Sequence, residues 1–333
     1  MAVNTRALVS AIIPVYNRPE LLKQAVASVL QQLYRPIEII IVNDGSTDVT
    51  AEVADQLVEE NPQTIYAIHQ SNAGPGVARQ RGLEKAKGDF IQFLDSDDLL
   101  MEEKFSSQVA SLEANPECQI CYGKSYEEDH EHEPPVRVGP IRATGYPVRT
   151  LFPMLLLSRW WTTSSPLYRK SLLDRIGPWQ AWINEEDWEY DARAGATGAL
   201  LAWVDVDVSV RRLNLGDDHL SSKGCIDPRK LSNRAQAQLS IYQCALEAGV
   251  KHGSREMQVF SRSAFLLCRQ CGLAGIPRCS RDLFYLARKS STSSISRRVE
   301  FAIYHALASL IGWYSAAKLS AVFYGLIYKR SAA

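Results

Sequence analysis

Asp89-Phe90-Ile91-Gln92-Phe93-Leu94-Asp95-Ser96-Asp97-Asp98 is the stretch whose reading decides the rest of the chain. Phe90, Ile91, Phe93 and Leu94 suit a buried strand, after which the apolar character stops and three carboxylates crowd together. In an open α/β sheet, ligands bind at the carboxyl ends of the strands, because the connecting loops leave a crevice there. Carboxylates packed so closely repel one another and call for a positive partner. A hard divalent cation such as Mg²⁺ or Mn²⁺ takes oxygen ligands and shares them with substrate phosphates. The plain alternative is a helix cap, with Asp97 or Asp98 capping a segment that starts near Met101.

Upstream, Val9 to Val15 reads as a buried strand, followed by the polar turn Tyr16-Asn17-Arg18-Pro19-Glu20. Leu21, Leu22, Ala25, Val26, Val29 and Leu30 then recur at helical spacing. Ile37 to Val42 is nearly all apolar, as expected of a parallel strand covered on both faces. Asn43-Asp44-Gly45-Ser46-Thr47-Asp48 is rich in turn and capping residues and leads into a helix that runs to about Glu60. Thr64 to His69 predicts a third strand, and Gly74-Pro75-Gly76 introduces a helix that stops at Gly88. Alternation this regular predicts a doubly wound α/β layer.

The 333 residues are enough for one large domain or two ordinary ones. Lys plus Arg equals Asp plus Glu at 37 each, so no general pull towards nucleic acid is expected and anion binding must be local. Seven Cys and the lack of a secretory signal pattern in the first residues predict a reduced, cytoplasmic setting. Cys118 and Cys121 lie on a predicted strand, where residues three apart point to opposite faces. Cys268 and Cys271 lie on a predicted helix with no fourth ligand at zinc-like spacing. Both pairs are expected to be small core residues.

After Asn115-Pro116 the pattern loosens. Glu127 to Glu133, with His130 and His132, is read as a solvated loop rather than a metal cluster. A short apolar helix near Leu151 to Leu157 leads into Trp160-Trp161-Thr162-Thr163-Ser164-Ser165. Those tryptophans suit core packing, or else a wall on which a sugar face stacks. Residues 199–210 read as strand, and the chain beyond about Pro228 as helical. Phe301 to Ala317 carries no charge apart from His305, and Arg297, Arg298, Lys329 and Arg330 frame this region. It suits a segment lying in a membrane surface, or a helical hairpin packed on the protein itself.

Four stretches now stand in order: Ile12-Ile13-Pro14-Val15-Tyr16-Asn17, Val42-Asn43-Asp44-Gly45-Ser46, Asn72-Ala73-Gly74-Pro75-Gly76-Val77-Ala78-Arg79 and Leu94-Asp95-Ser96-Asp97-Asp98. Together with a fifth, Glu185-Glu186-Asp187-Trp188-Glu189, the chain resembles the family-two inverting glycosyltransferases of GT-A fold over roughly residues 8–215. The resemblance implies a Rossmann-like, mostly parallel mixed sheet flanked by helices. It divides the chain into a GT-A domain over residues 1–224 and a helical C-terminal region over 225–333. Within the first, residues 1–115 form the nucleotide-binding half and 116–224 the acceptor half.

By that resemblance, a sugar passes from a nucleotide-diphosphate donor to an acceptor hydroxyl, with uridine the expected base. Asp97 is the direct ligand of Mn²⁺ or Mg²⁺, and Asp95 supports the ribose or a metal-bound water. Asp44 recognises the base and ribose, while Pro14, Tyr16, Asn17 and Arg79 line the same pocket. Asp187 is the general base, with Glu186 beside it where like charge and burial raise a carboxylate's pKa. Arg193 holds the acidic helix or contacts phosphate, and His219 closes over the diphosphate or the metal. Synthesis of a cell-surface or extracellular glycan is implied, on a glycan, lipid-linked or protein acceptor. Peripheral contact with the inner face of a membrane is the accompanying expectation. Two departures stand out. Gln80 occupies a position where Asn is common, and Gly177-Pro178-Trp179-Gln180-Ala181-Trp182 lacks the usual acidic pair, which points to Trp179 and Trp182 in an unusual acceptor site. The competing readings are a sugar-phosphate nucleotidyltransferase, whose Gly-rich basic loop after the first strand is missing, and a sugar-nucleotide-binding protein without catalysis.

Overall fold

The computed structural model describes residues 6–215, 227–292 and 295–331. Two compact units emerge, Met1–Leu151 with Arg159–Asp218, and Phe152–Ser158 with His219–Ala333, so the division is not a single cut in the chain.

The first unit begins with strict alternation: β1 (Val9–Val15), α1 (Pro19–Leu30), β2 (Ile37–Asp44), α2 (Thr50–Glu60), β3 (Ile65–Gln70), α3 (Pro75–Lys85) and β4 (Phe90–Phe93). These strands are parallel, in the order β3-β2-β1-β4. Every residue of β2 is buried, and so is all of β1 except Pro14, which is half-buried. Helices on both faces leave no polar side to such strands, hence their unbroken apolar runs. On one face α3 lies close against the sheet, because a Cβ on Gly82 would run into Ile12 of β1 and meet Val42 of β2.

Past the acidic turn comes the short β5 (Leu99–Leu100), and only then α4 (Lys104–Ala114). Glu103 stands at the N-cap of α4 and no side chain caps that helix. The capping reading of Asp97 and Asp98 is therefore excluded. The unit continues with β6 (Cys118–Asp129), β7 (Val136–Val138), β8 (Leu167–Arg169), α5 (Lys170–Ile176), α6 (Glu186–Ala196) and β9 (Leu200–Leu213). Among the described residues these strands complete a nine-stranded mixed sheet, with β8, β6, β9 and β5 following β4 and with β7 pairing β6. Leu99 faces Val210 and Leu100 faces Ser209, so β9 grips the acidic turn from its far side.

The first three residues of the acidic run correct the expectation of a loop, while His130 to Glu133 form an irregular turn with Glu131 to Glu133 exposed. Glu127 to Asp129 belongs to β6, half-buried, with Glu127 opposite Arg211 and Glu128 opposite Arg212 on β9. Opposite charges across a ladder support pairing, and Glu127 meets Arg211 at 3.3 Å. Trp160 and Trp161 are core residues, their rings 5.1 and 5.5 Å from that of Tyr122. Cys118, Cys121, Cys268 and Cys271 are buried free thiols. Burial pushes Cys121 and Cys271 up to about 12, which suits inert packing rather than metal binding.

In the second unit, α7 (Pro228–Glu247), α8 (Arg255–Leu273), α9 (Pro277–Ser290) and α10 (Ile295–Ser331) pack together with the turn at Met154–Leu156. Phe265 of α8 meets Phe284 of α9 and both Phe301 and Tyr304 of α10 edge-on or tilted. Gly312, at φ 84°, breaks α10 into two arms. No helix among the described residues is long and apolar enough to cross a membrane.

Gly82→Ala should lower the free energy of unfolding by about 1–3 kcal/mol, the usual cost of overpacking. Urea denaturation followed by circular dichroism measures it, and an unchanged midpoint would show that α3 is not held tightly to β1.

Candidate active site

The loops after β1, β2 and β4 meet at the carboxyl edge of the parallel strands, and side chains tie them to one another. Asn17 adopts φ 51°, a left-handed conformation that Asn tolerates better than most residues. Its Oδ1 accepts from the Thr47 amide at 2.8 Å, and its own amide donates to Ser46 Oγ at 2.9 Å. Tyr16 beside it is exposed. At the end of β2 the buried Asp44 carboxylate accepts three hydrogen bonds: from Gln70 Nε2 at 2.7 Å and from the Ala73 and Gly74 amides at 2.8 Å. Asp44 thereby fixes the Gly74-Pro75-Gly76 turn, in which Gly74 has the positive φ of 90° that glycine supplies without strain.

The positive partners demanded by the Asp95–Asp98 turn are arginines. Arg18 Nη1 lies 2.7 Å from Asp97 Oδ2, and Arg79 Nη2 lies 2.7 Å from Asp95 Oδ1. Arg212 of β9, itself buried, donates through Nε to the Asp97 carbonyl at 2.6 Å and through Nη1 to Gln24. Asp98 points inward and accepts from Ser164 Oγ at 2.6 Å. Burial, reinforced by the charges of Asp97 and Asp95, holds its carboxyl well above the usual range. Burial also pushes Asp95 up, but the charge and hydrogen bond of Arg79 outweigh it and leave Asp95 below the ordinary value.

Arg79 reaches further. Its Nη1 is 2.8 Å from Glu186 Oε1 on α6, and its guanidinium lies 4.9 Å from the Trp179 ring centroid. Glu185, at the start of α6, is held at φ 58°, a left-handed conformation that costs about 1–2 kcal/mol for a residue with a Cβ. That turn brings two adjacent acids to the helix start. Burial first, then the charge of Asp187, raises Glu186 to about 7 against the pull of Arg79. Asp187 remains partly exposed, its Oδ2 2.8 Å from Arg159 Nη1. Arg159 is in turn anchored by Asp191, a buried carboxylate that also accepts from Trp161 Nε1 at 2.8 Å and Tyr168 OH at 2.7 Å. The charge of Asp187 acts on Arg79, and that of Arg159 on Asp95, so the two acidic segments share one electrostatic neighbourhood.

Pro14, Tyr16, Asn17, Asp44, Arg79, Asp95, Asp97, Glu186 and Asp187 all belong to the first unit, where Arg79 joins Asp95 to Glu186. His219 lies outside the described residues. Trp179 is corrected: it is buried, stacked on Tyr190 with centroids 4.0 Å apart, and so is a floor beneath Arg79 rather than an acceptor wall. Gln80 makes its own link to that floor, accepting from the Trp179 amide at 3.1 Å. Arg193 holds the acidic helix, through Glu189 at 2.9 Å and the Ile176 carbonyl. Arg18, Arg159 and Asp191 went unnoticed in the sequence. Only Asp191 had a signal there, lying four residues after Asp187 and so on the same helix face. Among the described residues, no group of three or more His, Cys, Asp or Glu could by itself hold a metal.

The profile of glycosyl transferase family 2 matches residues 10–176. The chain belongs to that family. An uncharacterized glycosyltransferase of Haemophilus influenzae is 42% identical over 102 residues, 31% of this chain and 41% of that protein. Glycosyltransferase GlyG of Streptococcus pneumoniae is 32% identical over 123 residues, 37% of this chain and 40% of its own. The chain thus spans less than half the length of these curated relatives. Among solved structures, S. aureus TarS 1–349 in complex with UDP-GlcNAc superposes with a TM-score of 0.63 at 17% identity, covering 85% of this chain and 87% of that one. The mannosyltransferase PcManGT from Pyrobaculum calidifontis, in complex with GDP-Man and Mn²⁺, gives 0.52 at 16% identity over 96% and 85%. These similarities show a shared GT-A fold. The Glu186-Asp187 pair lies beyond the matched family span.

Glu186 binds its proton more tightly folded than unfolded. Its contribution therefore favours the fold at low pH and is lost as pH rises from about 4.5 to about 7. Against Glu186→Gln, the wild type should lose relative stability across that window in urea titrations. Parallel pH profiles for the two proteins would refute a buried, proton-holding Glu186.

Proposed function

We propose that this protein is an inverting glycosyltransferase that moves a hexose from a nucleotide-diphosphate sugar, with UDP the expected carrier, to an acceptor hydroxyl. The observation that carries the reading is the Arg79 bridge, which brings Asp95 of the Asp-Ser-Asp-Asp turn and Glu186 of the acidic helix into one site. The donors named for TarS and PcManGT add support, and the broader role we propose is synthesis of a cell-surface or extracellular glycan.

A divalent cation fits the donor set. Mg²⁺-like sites use one or two carboxylates together with substrate phosphates, so Asp97, seconded by Asp95, is sufficient without a third protein acid. Such an ion supplies Lewis-acid neutralisation of the diphosphate as it leaves. Arg18 is the side chain that must yield at Asp97 Oδ2. Asp44, rigid on its three hydrogen bonds, would form part of the base pocket, to which the same reading assigns Pro14, Tyr16 and Asn17.

In the transfer step, the acceptor oxygen forms a bond to the anomeric carbon while the bond from that carbon to the diphosphate oxygen breaks. The bonding electrons leave with the nucleoside diphosphate, and the acceptor's proton passes to the Asp187 carboxylate. One displacement inverts the configuration. Arg159 positions the base by fixing Oδ2, itself steadied by Asp191.

Asp187→Asn should cut turnover by about 10²–10⁴-fold, the usual share of a general base. Unaffected transfer would remove Asp187 from that role. Arg159→Ala should lower kcat with donor KM unchanged, and Arg159→Lys should recover part of it; equal loss in both variants would mark a purely structural arginine. Thermal shift with UDP and GDP names the carrier, since a ligand at about 100 times its Kd adds about 2.7 kcal/mol. Stabilisation is expected only with Mn²⁺ present and to fall away in Asp97→Asn.

A further inference from the structure

The first arm of α10 is apolar on two opposite faces. Phe301, Tyr304 and Ala308 recur at helical spacing and are buried, Phe301 and Tyr304 against Phe265 and Phe284. Val299, Ile303 and Leu310 lie on the outward side, with Ile303 57% and Leu310 82% exposed. Beyond the break at Gly312, Tyr314, Leu319 and Val322 are again exposed. A helix packed on one face normally offers charged and polar side chains on the other, whereas a helix that is apolar all round is covered.

Charge identifies what covers it. From Val299 onward the sequence contains one acid, Glu300, while Lys318, Lys329 and Arg330 are basic. Arg297 and Arg298 precede this segment, and Arg288 and Lys289 stand exposed at the end of α9. In a chain of zero net charge, the sequence of α10 thus carries five Lys and Arg (Arg297, Arg298, Lys318, Lys329 and Arg330) against one acid. A second copy would bring like charges together, whereas anionic headgroups would neutralise them. No described helix is long and apolar enough to cross a bilayer. Apolar side chains on an in-plane helix enter the boundary between headgroups and acyl chains.

We propose that the outward face of α10 is a docking surface for an anionic phospholipid bilayer, in which the helix lies without spanning. This stands independently of the sugar-transfer reading.

The test is co-sedimentation of the full chain with vesicles of phosphatidylcholine alone and with about 30% phosphatidylglycerol added. Binding to the anionic vesicles should be at least about tenfold stronger and should weaken in high salt. The double variant Ile303→Asp/Leu310→Asp should lower it by at least about tenfold. Both positions are exposed, so circular dichroism should be unchanged. Lys318→Glu should weaken binding to anionic vesicles only. Wild-type protein that stays in the supernatant, or a double variant that binds like the wild type, would overturn the proposal. So would a lipid-free dimer seen by light scattering and dissociated by Leu310→Asp, which would assign the face to a second copy.

Discussion

A single desolvated guanidinium joins the two halves of the site. Arg79 comes from the helix after the glycine turn, Asp95 from the end of β4 and Glu186 from α6, and none is near another in sequence. A buried cation held by two carboxylates is strongly bound because removing either partner leaves charge without solvent. The same cation pulls both of its acids downward, yet their net shifts are opposite. Asp95 keeps 32% of its side-chain surface exposed and is pulled below its ordinary pKa. Glu186 keeps only 7% and, with Asp187 beside it, is pushed upward in spite of Arg79. Burial raises both; the neighbouring charges decide the outcome, with Arg79, Arg159 and Arg211 acting on Asp95 and Asp187 acting on Glu186.

The parallel half of the fold was legible because its strands are covered on both faces. Val9–Val15 is bounded in the structure as its apolar run suggests, and Ile37 to Val42 gains only the polar Asn43 and Asp44, whose ladder bonds to His69 and Gln70 no local pattern reveals. The acidic turn was misread at its exit, because a two-residue strand such as Leu99–Leu100 has no periodicity of its own and exists through β9. Glu127 to Asp129 looked like a solvated charge run for the same reason. The arginines that accommodate it lie on another strand, Arg211 being 84 residues away from Glu127.

The site divides along the same line. Asp44, Arg79, Asp95, Asp97, Glu186 and Asp187 could be named through the motifs by which the chain resembles its family. What each one touches could not. Asp44, read as a contact for base and ribose, holds a neighbouring turn through backbone amides. Arg159 sits before two core tryptophans with nothing local to mark it, yet it links Asp187 to Asp191 across 28 and 32 residues. Ion pairs of this kind are properties of the folded chain, and they decide which way a carboxylate faces and how charged it stays.

The contact between Arg18 and Asp97 has a bearing on how the protein persists between turnovers. A loop rich in aspartate usually springs open when its counter-ion departs. Here the replacement charge is covalently part of the chain and already seated, so the loop has no need of a dissolved ion to hold its shape. If transfer runs on such an ion as proposed above, depletion of free cations would idle the molecule without unfolding this loop.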